Sequence, residues 1–281
     1  LRDVYKRQRK YHAVGAFNLE SGESNASPKN SYSKAFGKAL VNLGAQDEKI
    51  VAITAAMPEG TGLKCFSQKF RDRFFDVGIA EEHAVTLAAG MASNGLKPVF
   101  AVYSTFLQRA FDQVLHDVCI QNLPVVFAID RAGIVGEDGE THQGINDLSY
   151  LSMIPNIHIV VPKCLEEVDV LLKWAINKNA PVAIRYPKGG NIIDTLSPIK
   201  EVVEGQWEIV NRGSKVCIIA TGRMVQHAMI AKEFLYEKGL NPTVINATFV
   251  KPIDKKLLEN IKKEGYNILT IEDLSLIHIS E

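Results

Sequence analysis

The strongest constraint on the fold is an alternation of short apolar runs with longer amphipathic segments, which begins near residue 31. The apolar runs predict buried strands at 50–55, 74–77, 98–102, 124–129, 157–161 and 182–185. The segments between them predict helices at 31–42, 81–94, 105–121 and 165–177. Strands that are apolar throughout and separated by helices are typical of a parallel sheet covered on both faces. We therefore expect an α/β fold with binding sites beyond the carboxyl ends of its strands.

The alternation is interrupted once, by a segment with prolines and mixed charges at 191–213, which we interpret as a linker between two domains. The first domain is expected to span 31–190. A second, smaller α/β domain is expected at 214–273, and its few elements suggest that it is truncated. Residues 1–30 are expected to form a linker with a non-native N-terminal tail, and residues 274–281 a second non-native tail.

The composition argues against several classes of function. The 32 acidic and 32 basic residues give a net charge of zero, which does not favour binding to nucleic acid or to an anionic membrane. No stretch approaches the ~18 apolar residues of a membrane helix. The four cysteines form no CxxC pair, and we expect reduced thiols in a cytoplasmic protein.

The first candidate functional residue is Glu81, at the start of the predicted helix 81–94. Most carboxylates in a first helical turn are exposed and are favoured there by the helix dipole. This one follows an apolar segment and precedes a helix that is almost wholly apolar. We therefore expect Glu81 to be sheltered from water, which makes it a candidate for a functional site.

A second group of candidates lies where the strand at 98–102 runs into the next helix. Tyr103, Phe106 and Arg109 occupy this segment. The aromatic rings could belong to the core, and Arg109 could equally be an ion-pair partner of Asp112. Sequence alone leaves these alternatives open.

A long glycine-rich loop at 130–144 carries the third group, which comprises Arg131, Asp138 and His142. Loops of this length in compact domains are often functional. His142 lies among glycines and faces no apolar run, so we interpret it as a site residue suited to proton transfer. No set of His, Cys and Asp residues has the spacing of a metal site.

Together these motifs resemble the thiamine-diphosphate enzymes of the transketolase superfamily, over about residues 9–273. The resemblance rests chiefly on Gly-Ile-Ala-Glu, which ends at Glu81, and on the Thr-His-Gln-Gly motif around His142. It implies a pyrimidine-binding domain followed by part of a C-terminal domain. In that family the motif glutamate hydrogen-bonds a ring nitrogen of the cofactor's aminopyrimidine, which favours the imino tautomer. The resemblance therefore implies a catalytic role for Glu81, while the cofactor carries the carbanion chemistry.

The resemblance also implies roles for the other candidates. Phe106 would stack on the aminopyrimidine, and Met57, in a Pro-Gly loop, would lie near the cofactor. Tyr103 and Arg109 would lie near the substrate. His142 would act on the substrate as a catalytic residue.

The remaining positions that match the family are implied to bind substrate. Asp138 would contact substrate hydroxyls beside His142. Arg131 and Lys188 would bind the phosphate of an aldehyde substrate. Many relatives have arginine at the position of Lys188, and lysine binds phosphate as a point charge without the bidentate fork.

Within the superfamily, the His142 loop and the entry segment 11–18 are most similar to one branch. Its members decarboxylate pyruvate and join the two-carbon unit to glyceraldehyde 3-phosphate, for isoprenoid, thiamine and pyridoxal synthesis. They act as homodimers. The Gly-Asp-Gly…Asn motif that holds the diphosphate through Mg²⁺ does not occur in the 281 residues. We therefore expect a partial chain that lacks the upstream diphosphate domain and has no turnover by itself.

Two other interpretations stay open. The chain could belong to a transketolase, or to the β-subunit of a 2-oxoacid dehydrogenase, which is built from the same two domains and needs a partner chain. The Thr-His-Gln-Gly loop and the segment 11–18 argue against the β-subunit. Alternatively, the chain could be a stand-alone α/β binding module, which the missing diphosphate motif slightly favours.

Overall fold

The computed structural model describes residues 17–22, 30–136 and 139–274. The chain divides into two compact units, Leu1–Asn30 and Ser31–Glu281. In the first unit, the Asn18 side chain accepts hydrogen bonds from the backbone N–H groups of Glu20 and Ser21 and so closes a turn. The tail expected at the N-terminus, and all but the first residue of the tail expected at 274–281, lie outside the described residues.

Seven strands form the larger sheet of the second unit, in the order β10-β5-β6-β4-β3-β1-β2. They are β1 (Ile50–Thr54), β2 (Phe74–Asp76), β3 (Lys97–Tyr103), β4 (Val126–Asp130), β5 (His158–Val160), β6 (Val182–Arg185) and β10 (Phe249–Lys251). All neighbours pair in parallel except β10, which is antiparallel to β5. Strands β1, β4 and β6 are buried along their whole length, as the continuous apolar runs predict.

Helices cover both faces of this sheet. One face packs against α1 (Tyr32–Gln46), α2 (Lys64–Lys69) and α6 (Glu167–Asn177), and buries Phe36 and Phe66. The other packs against α3 (Glu81–Ser93), α4 (residues 104–119) and α5 (Asp147–Met153), and buries Phe100 and Phe127. The last part of α4, Val114–Cys119, is a π-helix. Ser31 caps α1, because its Oγ accepts a hydrogen bond from the backbone N–H of Lys34.

The smaller sheet has four strands in the order β11-β8-β9-β7. They are β7 (Glu208–Asn211), β8 (Val216–Ala220), β9 (Thr243–Asn246) and β11 (Asn267–Ile271). Helices α7 (Met224–Glu237) and α8 (Lys255–Lys263) cover its two faces. The prediction of a parallel-sheet domain followed by a smaller α/β domain is confirmed. No helix within 30–136 and 139–274 has the length and apolar character needed to cross a bilayer.

Sequence periodicity did not predict four of these elements: α2, α5, β7 and β10. Strand β7 falls inside the segment 191–213 that we predicted as a linker, so the smaller sheet takes a strand from it. Strand β10 comes from the second domain but extends the larger sheet. Its Phe249 is buried against Trp174, with ring centroids 5.2 Å apart, and its carbonyl accepts a hydrogen bond from Trp207 Nε1. Strand β10 therefore ties the two sheets together.

The substitution Phe249→Ala tests the role of β10. We expect it to lower the free energy of unfolding by about 3–5 kcal/mol, because it leaves a cavity between Trp174 and the strand. The control Phe234→Ala removes a phenylalanine that is 64 % exposed, and should change stability by no more than about 0.5 kcal/mol. Urea denaturation measures both. Equal losses in the two variants would show that β10 does not anchor the second sheet.

The cysteines give a second test of the fold. Burial raises the pKa of the Cys119 and Cys164 thiols to about 12 and that of Cys217 to about 11, whereas Cys65 is exposed. Because the thiolate is the nucleophile, we expect iodoacetamide at pH 8 to label Cys65 alone until the chain unfolds. Peptide mass spectrometry reads the labelled positions. Labelling of a buried cysteine as fast as Cys65 would contradict this packing.

Candidate active site

Five loops that follow neighbouring parallel strands meet at one edge of the larger sheet. The strands are β6, β4, β3, β1 and β2, in that spatial order. The loops or strand ends carry the predicted site residues in the same order: Lys188, Arg131, Tyr103, Met57 and Glu81. This edge is where parallel sheets bind ligands, because the carboxyl ends of their strands open there.

The carboxylate of Glu81 is buried at the start of α3, as the apolar flanks predict. Only 2 % of the residue is exposed. Its Oε1 accepts a hydrogen bond from Arg109 Nη1 at 3.0 Å, while 48 % of the Arg109 side chain is exposed. Arg109 therefore forms its ion pair with Glu81, and not with Asp112, which the sequence had offered as an alternative partner. A half-exposed guanidinium therefore covers a buried carboxylate.

The loops around Glu81 and Met57 are fixed by Asp76, a residue that the sequence analysis did not single out. Asp76 Oδ1 accepts hydrogen bonds from the backbone N–H groups of Ala56 at 2.8 Å and Gly78 at 3.1 Å. Both loops that donate these N–H groups turn through positive φ, at Ala56 (61°) and Gly78 (73°). An Asp at the end of a strand, two residues before a glycine, is the available sequence signal, because Asp side chains commonly bond nearby backbone in turns.

Tyr103 is packed between the loops that follow β1 and β4. A Cβ atom at Gly60 would come 1.7 Å from the Tyr103 hydroxyl oxygen, so this close approach requires glycine. The Arg131 guanidinium carbon lies 3.8 Å from the Tyr103 ring centroid. Arg131 also has a positive φ of 56°, an uncommon conformation for a residue with a side chain and one that is found at functional sites.

Phe106 joins the remaining candidates. Its ring stacks with Tyr103 at a centroid distance of 6.0 Å and an interplanar angle of 20°. The His142 ring contacts it edge to face at 5.2 Å, and the Arg109 guanidinium carbon lies 4.8 Å from its centroid. Glu81 is thereby connected to His142 through Arg109 and Phe106. Flat rings bordered by cations suit a planar heterocycle or an anion.

The loop that carries His142 is closed by hydrogen bonds. Thr141 Oγ1 lies 2.9 Å from His142 Nδ1, and the Thr141 carbonyl accepts a hydrogen bond from Thr105 Oγ1. Gln143 Oε1 accepts from the Val135 N–H at 2.7 Å. The loop is therefore held against the start of α4. Asp138 lies outside the described residues.

Beneath this loop lies a buried ion-pair network that sequence reasoning missed. Arg185 Nε donates to both carboxylate oxygens of Asp147 at 2.9 and 3.0 Å, and Nη1 donates to Asp273 at 3.0 Å. Ser104, at the start of α4, donates to Asp147. Burial opposes the charge of Arg185, but the two carboxylates outweigh it and raise the pKa of the guanidinium. An arginine in an apolar strand was the available signal.

Met57 and Lys188 lie on loops that border the site. Met57 is partly buried on the core face that also supports Phe106, and its carbonyl accepts a hydrogen bond from Thr61 Oγ1. Lys188 is half-buried after β6, and its carbonyl accepts from Arg223 Nη2 at 2.9 Å. In the part of the chain that the structure describes, no group of three or more His, Cys, Asp and Glu residues could hold a metal ion.

Comparison with protein families gives two matches. The family described as "Transketolase, pyrimidine binding domain" matches residues 29–191, and "Transketolase, C-terminal domain" matches residues 205–278. Among curated relatives, the 1-deoxy-D-xylulose-5-phosphate synthase of Clostridium botulinum (strain Alaska E43) is 66 % identical over 264 residues. That of Clostridium acetobutylicum is 61 % identical over 265 residues. Each alignment covers 94 % of this chain but 43 % of the relative, so the chain spans under half of their length.

Solved structures agree with these matches. A chain described as "Split gene transketolase, inactive beta4 tetramer" superposes with a TM-score of 0.79 at 31 % identity, covering 88 % of this chain and 81 % of that one. A transketolase from Leishmania mexicana superposes with a TM-score of 0.78 at 20 % identity, covering 90 % of this chain and 40 % of its own. The second likeness supports the fold alone.

The network under the His142 loop can be tested by Asp147→Asn. We expect it to lower the free energy of unfolding by about 3 kcal/mol, because it removes one of the two carboxylates that balance the buried Arg185. The control Asp194→Asn changes an exposed aspartate and should cost no more than about 0.5 kcal/mol. Urea denaturation at pH 7 compares them. A loss in Asp147→Asn as small as in the control would show that the buried pair does not support the loop.

Proposed function

This chain belongs to the transketolase family, and we propose that it forms the pyrimidine-binding and C-terminal domains of a 1-deoxy-D-xylulose-5-phosphate synthase. One observation carries the proposal: relatives of that name are 57–66 % identical over 94 % of the chain. The buried carboxylate of Glu81 and the aromatic ring of Phe106, both contacted by Arg109, support it independently.

The proposed reaction decarboxylates pyruvate and joins the two-carbon unit to glyceraldehyde 3-phosphate. Its product would serve isoprenoid, thiamine and pyridoxal synthesis. Thiamine diphosphate, when bound, supplies the carbanion chemistry. Because the chain spans 43 % of its relatives' length, the reaction is proposed for the full-length protein.

The site residues fit the aminopyrimidine end of this cofactor. Glu81 is a buried acceptor that can hold a proton at a ring nitrogen, since few water molecules compete for it. The partly exposed ring of Phe106 offers a flat face for stacking, and Met57 would border the same space. We propose that Glu81 is catalytic and that Phe106 and Met57 bind the cofactor.

His142 is the residue that we propose for proton transfer at the substrate. Its Nδ1 is engaged by Thr141, which leaves Nε2 as the nitrogen for that exchange. We propose that Asp138, on the same loop, contacts substrate hydroxyls, and that Tyr103 and Arg109 lie beside the substrate.

Arg131 and Lys188 are the groups that we propose for the aldehyde's phosphate. The ends of β4 and β6, which carry them, are joined by a hydrogen bond from the Ala132 N–H to the Tyr186 carbonyl. The planar fork of Arg131 suits two phosphate oxygens, whereas Lys188 contributes a point charge. We propose in addition that the intact protein is a homodimer and that Mg²⁺ is held by residues outside this chain.

A second candidate function is the subunit of a split transketolase. It is favoured by the structural match that covers 81 % of a split-gene transketolase chain. That chain's assembly is described as an inactive tetramer. We propose likewise that this chain has no turnover alone. The donor substrate distinguishes the two candidate functions, because the synthase uses pyruvate and a transketolase uses ketose phosphates.

A hybrid enzyme tests the proposed function. In it, this chain replaces the matching segment of the Clostridium botulinum Alaska E43 synthase, to which it is 66 % identical. We expect the hybrid to consume pyruvate and glyceraldehyde 3-phosphate with thiamine diphosphate and Mg²⁺. Glu81→Gln should lower kcat by about 10²–10⁴-fold, because the amide cannot hold the proton as the carboxylate does. Release of CO₂ from pyruvate measures the rate.

The matched control is Glu82→Gln, which removes the exposed carboxylate next to Glu81 on the same helix. Its kcat should stay within about twofold, because surface charges contribute little. A folded hybrid that does not consume pyruvate but turns over ketose phosphates would favour the split transketolase. Full activity of the Glu81→Gln hybrid would contradict the proposed catalytic role of Glu81.

A further inference from the structure

We propose that the guanidinium of Arg109 takes the place of the cofactor's pyrimidine ring while that ring is absent, and that cofactor binding displaces it. This inference rests on the proposed function, because it assumes that Glu81 and Phe106 hold the ring. Arg109 contacts both of them: Nη1 donates to Glu81 Oε1 at 3.0 Å, and the guanidinium carbon lies 4.8 Å from the Phe106 ring centroid.

A guanidinium can substitute for an aminopyrimidine because the two groups share the relevant chemistry. Both are flat, and both can point an N–H group in their plane at a carboxylate, the aminopyrimidine through its ring nitrogen in the imino tautomer. Both also stack on an aromatic face, the guanidinium with an added cation–π attraction. A pyrimidine ring that approaches Glu81 Oε1 and the Phe106 ring where the guanidinium lies would therefore compete with Arg109 for the same position.

The two partners in the ion pair differ in freedom. The Glu81 side chain is 3 % exposed and fixed at the start of α3, whereas the Arg109 side chain is 48 % exposed. A buried carboxylate without a partner is costly, so Glu81 requires a donor in every state of the protein. Arg109 can move its charged end into water at little cost, because long cationic side chains reach solvent easily. Arg109 is therefore the partner that the cofactor displaces.

The exchange has a consequence for the substrate site. When the ring takes over Glu81 and Phe106, the released guanidinium lies at the mouth of the same site, on the strand-end edge that also carries Arg131. A cation freed there can attract an anionic substrate. Cofactor occupancy thus controls whether Arg109 is available, which favours binding of the cofactor before the substrate.

The test measures the affinity of the hybrid enzyme for thiamine diphosphate by calorimetric titration, with Mg²⁺ and without substrate. Because Arg109→Met removes the competing group, we expect the dissociation constant to fall about fivefold or more. Damage to the site would weaken binding, so a gain in affinity cannot come from disruption alone. The control Arg212→Met removes an exposed arginine paired with Glu264, and should leave affinity unchanged.

A second readout uses the melting temperature. Arg109→Met should lower it by about 3 °C or more without cofactor, because Glu81 loses its partner, and by clearly less at saturating cofactor. Affinity that is unchanged or weaker in Arg109→Met, while Glu81→Gln weakens it, would overturn the inference and leave the proposed function standing. If Glu81→Gln also leaves the affinity unchanged, the result contradicts both the inference about Arg109 and the proposed function.

Discussion

A charge that is buried at the start of a helix must keep a hydrogen-bonded partner, and the site in this protein is organised around that requirement. Glu81 is almost fully removed from water. The cost of an unpaired carboxylate there is several kcal/mol, of the order measured for broken buried ion pairs (about 3–5 kcal/mol). Either a side chain of the protein or a ligand has to donate a hydrogen bond to this carboxylate. Arg109 does so in this structure.

The surrounding scaffold keeps that carboxylate and its neighbours in fixed positions. Asp76 joins the turns after β1 and β2, Gly60 admits the Tyr103 hydroxyl, and the Arg185–Asp147 pair supports the His142 loop from below. These contacts are made by backbone groups and by short or buried side chains. Above them, the half-exposed Arg109 lies over Phe106 and the partly buried Arg131 lies over Tyr103. Cations placed over aromatic rings in this way suit an anionic ligand.

Periodicity in the sequence was enough to predict the parallel sheet, because buried strands such as β4 and β6 require continuous apolar residues. It could not predict β10, which has three residues and pairs with a strand remote in sequence, or β7, which is a half-buried edge strand. The burial of Glu81 followed from its flanks. The ion-pair partner of Glu81 could not be predicted in the same way. Asp112 is at helical spacing from Arg109, whereas Glu81 is 28 residues away and contacts Arg109 only through tertiary packing.

The most direct test of this account is a crystal structure of the hybrid enzyme with thiamine diphosphate bound. The quantity to measure is the distance from the nearest Glu81 carboxylate oxygen to a nitrogen of the aminopyrimidine ring. We expect a hydrogen bond of about 2.6–3.2 Å, with Arg109 moved away from Phe106. A bound cofactor whose ring lies elsewhere, with Glu81 still paired to Arg109, would contradict it.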